Sequence, residues 1–192
     1  MKIALLILAA GSSTRMKTAK QLLAVGDKTL IGLTIEKALQ TDVEKIFCVL
    51  GANAEEIRSN IKGYEIEVIE NINFQNGLGS SISCGIQNLE KYSCDAVLIM
   101  LGDQPNITSD YLNNLISSFE KNPNFIFASK YFKKNGVPAI FPRKYFPDLL
   151  KLQGEKGAAE LLNNENLNIK TVEMKVDLTD IDTPEDYKNF IQ

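Results

Sequence analysis

The sequence contains no histidine. That absence removes imidazole relays, imidazole general bases and histidine-ligated zinc together. Cysteine is scarce: Cys48, Cys84 and Cys94 form an odd set without metal-ligand spacing. The expectation is reduced thiols in a cytoplasmic protein, with Cys48 in the core. With imidazole and clustered thiolate both missing, a bound metal has to be held by oxygen, and Mg²⁺ is the natural candidate. Long apolar runs are lacking as well. The stretch from Met1 to Ala10 carries Lys2 and leads straight into a polar loop, so it reads neither as a signal peptide nor as a membrane span of about 20 residues. The net charge of −3 gives no general attraction to nucleic acid or anionic lipid. No nucleic acid and no membrane partner are expected, and a polyanionic ligand needs locally placed cations.

What is present is ordinary globular material: 192 residues, 44% hydrophobic and 23% charged. One domain over residues 1–192 is expected, large enough to bury a core without staples. Short apolar runs alternate with longer helical patterns. Ile3–Leu8, Lys45–Leu50, Ile66–Ile69, Ala96–Leu101 and Phe125–Ala128 read as strands. Ile31–Leu39, Ala54–Ile61, Ser80–Leu89 and Thr108–Phe119 read as helices. This alternation is the mark of the α/β class with a mostly parallel sheet. Beyond Asn135 the rhythm changes. The two prolines of Gly136–Pro142 suit an edge or a pocket wall better than a central strand. Glu155–Leu162 reads as a helix, Ile169–Met174 as a strand and Pro184–Ile191 as a closing helix.

The loop Leu8-Ala9-Ala10-Gly11-Ser12-Ser13-Thr14-Arg15-Met16 follows the first buried strand. Small residues there let backbone N–H groups approach phosphate oxygens, with Arg15 and Lys20 as nearby cations. It is not a Rossmann fingerprint, since Gly11 stands alone, nor a P-loop, since Met16 occupies the second glycine position. The competing explanation is a plain strand-to-helix turn with solvated cations. Asp103, after Gly102 at the carboxyl end of a buried strand, faces the side where ligands bind in such sheets and offers hard oxygen to Mg²⁺. An aspartate bonding its own turn is the alternative. Thr183 to Asp186 reads as a helix cap with acids in the first turn, which leaves Asp182 unexplained.

The ordered motifs "LAAGSSTRM", "KQLL", "NGLGSSISCG", "MLGDQP", "GVPAIF", "GEKGAA" and "DIDTPEDY" resemble the nucleotidyltransferases with a glycosyltransferase-A-like fold, and most closely their molybdenum-cofactor cytidylyltransferase branch. The resemblance spans nearly the whole chain. It implies a three-layer α/β/α sandwich of the nucleotide-diphospho-sugar transferase type. It implies Mg²⁺-dependent transfer of CMP from CTP to molybdopterin, with the product passed to a molybdoenzyme. By that resemblance Arg15, Lys20 and Asp103 are catalytic, Asp103 and Asp182 bind metal, and Asp180 is the less favoured second ligand. Leu8, Ala9, Ala10, Gly11, Ser12, Ser13, Gly79, Ser81 and Gly102 contact nucleotide, while Gly136, Pro138, Lys156 and Gly157 contact the acceptor. The chain departs from the family in Lys17 for glycine, Ala24 for proline, Glu155 for aspartate, and Ala159 where a basic residue is common. GTP or UTP as donor, another phosphorylated acceptor, and a nucleotide-binding regulatory module without turnover are the alternatives.

Overall fold

The computed structural model describes residues 1–16, 18–132, 134–172 and 176–192. The strands are β1 (Ile3–Ala9), β2 (Ala24–Val25), β3 (Lys28–Thr29), β4 (Lys45–Leu50), β5 (Glu67–Glu70), β6 (Ala96–Leu101), β7 (Ile126–Tyr131), β8 (Lys134–Pro142) and β9 (Ile169–Thr171). The helices are α1 (Leu30–Leu39), α2 (Ala54–Ile61), α3 (Leu78–Leu89), α4 (Ser109–Lys121), α5 (Phe146–Leu149), α6 (Ala159–Leu162) and α7 (Pro184–Ile191). Among the described residues the main sheet has seven strands in the order β5-β4-β1-β6-β8-β7-β9. β1 pairs in parallel with both β4 and β6, and β8 alone runs against its neighbours. The small β2–β3 hairpin stands apart.

Every residue of β1 is buried, so the strand reads as one unbroken apolar run. Its side chains alternate between two cores. Ile3, Leu5 and Ile7 pack with α1, α2 and α4 on one face, together with Cys48. Ala4, Leu6 and Leu8 pack with α3 and α5 on the other. The result is the three-layer α/β/α sandwich. Threonines start three of the helices: Thr29, Thr108 and Thr183 each accept a backbone N–H from the first turn. Among the described residues no helix is long and apolar enough to cross a membrane.

Two expectations need correction. The Gly136–Pro142 stretch is not an edge. It lies inside β8, bonded to β6 on one side and β7 on the other. A bulge resolves the conflict with Pro138: Ala128 pairs with Ala139, but Ser129 pairs with Gly136, which leaves Val137 and Pro138 outside the ladder. The missing N–H of Pro138 therefore costs no ladder bond. Side chains take the bulge carbonyls, Ser129 Oγ donating to Pro138 O at 2.7 Å and Tyr131 Oη donating to Val137 O. The second correction concerns Glu155–Leu162, where the helix is only α6. Gly157 adopts φ +54°, a left-handed value that breaks a helix. Of the expected strand Ile169–Met174, Glu173 and Met174 lie outside the described residues.

Candidate active site

From β1 the chain first builds outward through β4 and β5, then crosses back to place β6 on the other side of β1. The strand order reverses at this point, and the crevice beyond the carboxyl ends of such strands is where open α/β sheets bind ligands. A cleft of about 580 Å³ opens there. The loop after β1 (Leu8, Ala9, Ala10, Gly11 and Ser12) forms one wall. Gly102 and Asp103 after β6 form the floor, with Lys20, Ser81 and Asp182 around them. Gly102 N donates to Leu8 O at 2.9 Å, and Ile181 N donates to Asp103 O at 3.0 Å. These bonds tie the three loops together and bring Asp182 opposite Asp103.

The centre of the cleft is a cation between two carboxylates. Lys20 Nζ lies 2.5 Å from Asp103 Oδ2 and 2.7 Å from Asp182 Oδ1. Burial lowers the ammonium's pKa, and the two carboxylates outweigh it and hold the group above its ordinary value. Asp103 Oδ1 is buried without a hydrogen-bond donor among the described residues. An aspartate that bonded its own turn would have that oxygen occupied. At the mouth, Arg15 Nη1 reaches Asp182 Oδ2 at 3.2 Å from a side chain 73% exposed. Asp180 lies behind, in a separate depression beside Asn106 and Asp177. Burial, then the nearby Asp103 charge, pushes its carboxyl up to about 6, against the hydrogen bond of Gln104.

Several expected contacts point elsewhere. The Ser13 hydroxyl turns under the loop and donates to Gln21 Oε1 at 3.3 Å. Gly79 packs on another chain segment: a Cβ there would stand 2.6 Å from Gln153 N, and Gly79 N donates to Gly154 O at 2.8 Å. Gly136 packs under the Tyr131 ring and Gly157 against Leu78. Pro138 sits in the β8 bulge, and Lys156 pairs with Glu160 at 2.8 Å on the surface. Neighbouring Glu155 does line the cleft, as do Phe74, Gln75 and Gln21. Sequence reasoning assigned none of these four. Gln21 lies inside the quoted "KQLL", and its place beside Lys20 is the one signal that could have marked it.

A model of the MobA-like NTP transferase domain matches residues 5–170. The chain belongs to that family. It is a nucleotidyltransferase. Purine catabolism protein PucB of Bacillus subtilis (strain 168) is 30% identical to it, over 94% of this chain and 91% of that protein. Among solved structures, the Rv0371c homolog from Mycobacterium sp. strain JC1 is 29% identical, with a TM-score of 0.86 over 98% of this chain and 94% of that one. Rv0371c from Mycobacterium tuberculosis H37Rv, solved as a complex with manganese, is 26% identical, with a TM-score of 0.82 over 100% and 98%.

Proposed function

We propose that this protein transfers CMP from CTP to the terminal phosphate of molybdopterin, releasing pyrophosphate and passing the product to a molybdoenzyme. The observation that carries this reading is the convergence of Asp103 and Asp182 on one cation-sized point beside the loop after β1. Two carboxylates, one with a free buried oxygen, would suit a hard cation such as Mg²⁺, held by Asp103 and Asp182. Among the described residues no group of three or more acidic or cysteine side chains makes a closed metal cage. The manganese found with Rv0371c agrees with a divalent cation.

A metal held by Asp103 and Asp182 would supply positive charge against the triphosphate. The chain's own residues do the rest by position. Asp103 and Asp182 fix where positive charge sits. Lys20 supplies a point charge that its carboxylate partners hold in the ammonium form, and Arg15 offers fork donors at the mouth. The loop at Gly11 presents backbone N–H groups to the phosphate tail. The attacking phosphate is already anionic, so the reaction needs no general base, in keeping with a chain without histidine. Positioning and electrostatics account for the rate. The Ala9–Ala10 pair supports cytosine, because the guanylyl branch of the family typically has Gly-Gly there, and side-chain size at these positions controls how a base stacks.

The test is pyrophosphate release from CTP, GTP, UTP and ATP with Mg²⁺, with and without purified molybdenum cofactor. Release with CTP and cofactor is expected, falling by at least about 100-fold in Asp103→Asn. Release with GTP or UTP instead, release with a different phosphorylated acceptor only, or nucleotide binding without turnover would each overturn the specific assignment.

A further inference from the structure

We propose that Gln21 is the positioning residue that shapes the loop after β1 into an anion nest. The residue is 3% exposed and lies beneath the loop. Its amide nitrogen donates to two loop carbonyls, Ala9 O at 3.1 Å and Gly11 O at 3.0 Å. Its amide oxygen accepts from Ser13 Oγ at 3.3 Å, and Ser13 Oγ in turn accepts from Lys20 N at 3.2 Å. One buried amide thus holds the loop at three points and links it to the residue that carries the central ammonium.

The consequence is directional. Ala9 O and Gly11 O point inward to Gln21, Ala10 O accepts from Ala52 N, and Ser13 O accepts from Met16 N. Four of the loop's carbonyls are therefore occupied. Among the described residues, the N–H groups of Gly11, Ser12 and Ser13 have no protein acceptor. Successive free N–H donors on one turn make a concavity for an anion. Ser13 sits at φ +53°, a left-handed conformation that is uncommon for serine and that the bonds to Gln21 and Met16 hold in place. Without the amide beneath it, Ala9 O and Gly11 O lose their donor and the Ser13 hydroxyl its acceptor, and the loop is held only by the bonds from Ala52 N and Met16 N.

This inference rests on reading the cleft as a triphosphate site, and its test separates the two. Purified wild type, Gln21→Met and Gln21→Asn are titrated calorimetrically with Mg-CTP, Mg-tripolyphosphate and CMP. Methionine fills the same space without donors. Asparagine keeps the donors one methylene short, and serves if the methionine variant does not fold. Loss of one or two bonds to the loop predicts roughly tenfold or more weaker binding of CTP and tripolyphosphate. CMP, which lacks the phosphate tail, should bind within about twofold of wild type on the same estimate of its lost contacts. A general folding defect would weaken all three together and would overturn the proposal, as would variants that bind tripolyphosphate like wild type. Tripolyphosphate has no base, so a wild type that prefers GTP still reports on Gln21 while refuting cytosine selection.

Discussion

At the scale of single residues, the cleft is a balance of charges around Lys20. Its ammonium stands between Asp103 and Asp182, the two carboxylates proposed as metal ligands. Lys20 and Asp103 are little exposed, at 11% and 18% of their side chains, so loss of the cation leaves a carboxylate partly buried and unpaired. Breaking such a pair from one side is costly, on the order of 3–5 kcal/mol when burial is complete and less here. Lys20→Met should therefore melt lower than wild type without metal, and Mn²⁺ should raise its melting temperature more than it raises that of wild type. Equal metal shifts in both proteins would contradict a shared place for ammonium and metal. Gly11 gives the complementary case. A Cβ there meets nothing within 4 Å, and its φ is not in the left-handed range, so the fold makes no demand for glycine. Gly11→Ala should leave stability unchanged or raise it by about 0.4–1 kcal/mol, because the unfolded chain loses freedom. The same variant should bind CTP at least about tenfold more weakly, because the methyl group stands where phosphate approaches. Thermal melting and titration on one sample check both halves. A stable variant with wild-type CTP affinity would show that the close approach does not occur at Gly11.

At the scale of elements, what was legible in the sequence was whatever periodicity and caps control. β1 is fully buried and β4 and β6 are buried but for Lys45 and Leu101 at their ends, so all three read directly as apolar runs covered on both faces. α2 and α7 read to the residue, because in α7 a threonine cap and a proline fix the start. Asp182 was separable from that cap for the same reason: Thr183 and Asp186 satisfy each other, and Asp182 points away to Lys20. What failed was tertiary. The β8 bulge that accommodates Pro138 is set by its partner β7, and α6 is shortened by the left-handed turn at Gly157, where a Cβ would strike Leu78. The resemblance makes Gly79 a nucleotide contact, and in the structure the same glycine lets the start of α3 touch the backbone at Gln153. That contact has a measurable cost. In Gly79→Ala the new methyl would stand 2.6 Å from a backbone nitrogen that no rotamer change can move aside. The expected destabilisation is about 1–3 kcal/mol, typical of overpacking. Urea unfolding should show this as a lower midpoint at unchanged slope. A midpoint equal to wild type would mean that α3 and the 153–154 segment separate freely.

At the scale of the whole molecule, the cleft sits where both cores end. β1 sends alternate side chains into each core, and the loop leaving it forms one wall of the site. Asp182 comes from a segment more than 160 residues from that loop in sequence, tied in by the Ile181 to Asp103 bond. A ligand seated there is gripped from the beginning, middle and end of the chain, so its binding energy opposes unfolding of all three at once. A ligand that binds only the folded state, at 100 times its Kd, adds about 2.7 kcal/mol. In a chain of this size each 1 kcal/mol moves the melting temperature by roughly 2–4 °C. Saturating Mg-CTP should therefore raise the melt by about 5–11 °C on that arithmetic. Because strands from both ends of the sequence share one sheet, the unligated protein should unfold in one cooperative step. That step should move as a unit, with near- and far-ultraviolet circular dichroism in agreement. A melt in two phases, with nucleotide shifting only the first, would show that residues after β8 fold separately. Asp182 would then be delivered to the cleft by docking between two units, and metal affinity would depend on that docking as well as on the two carboxylates.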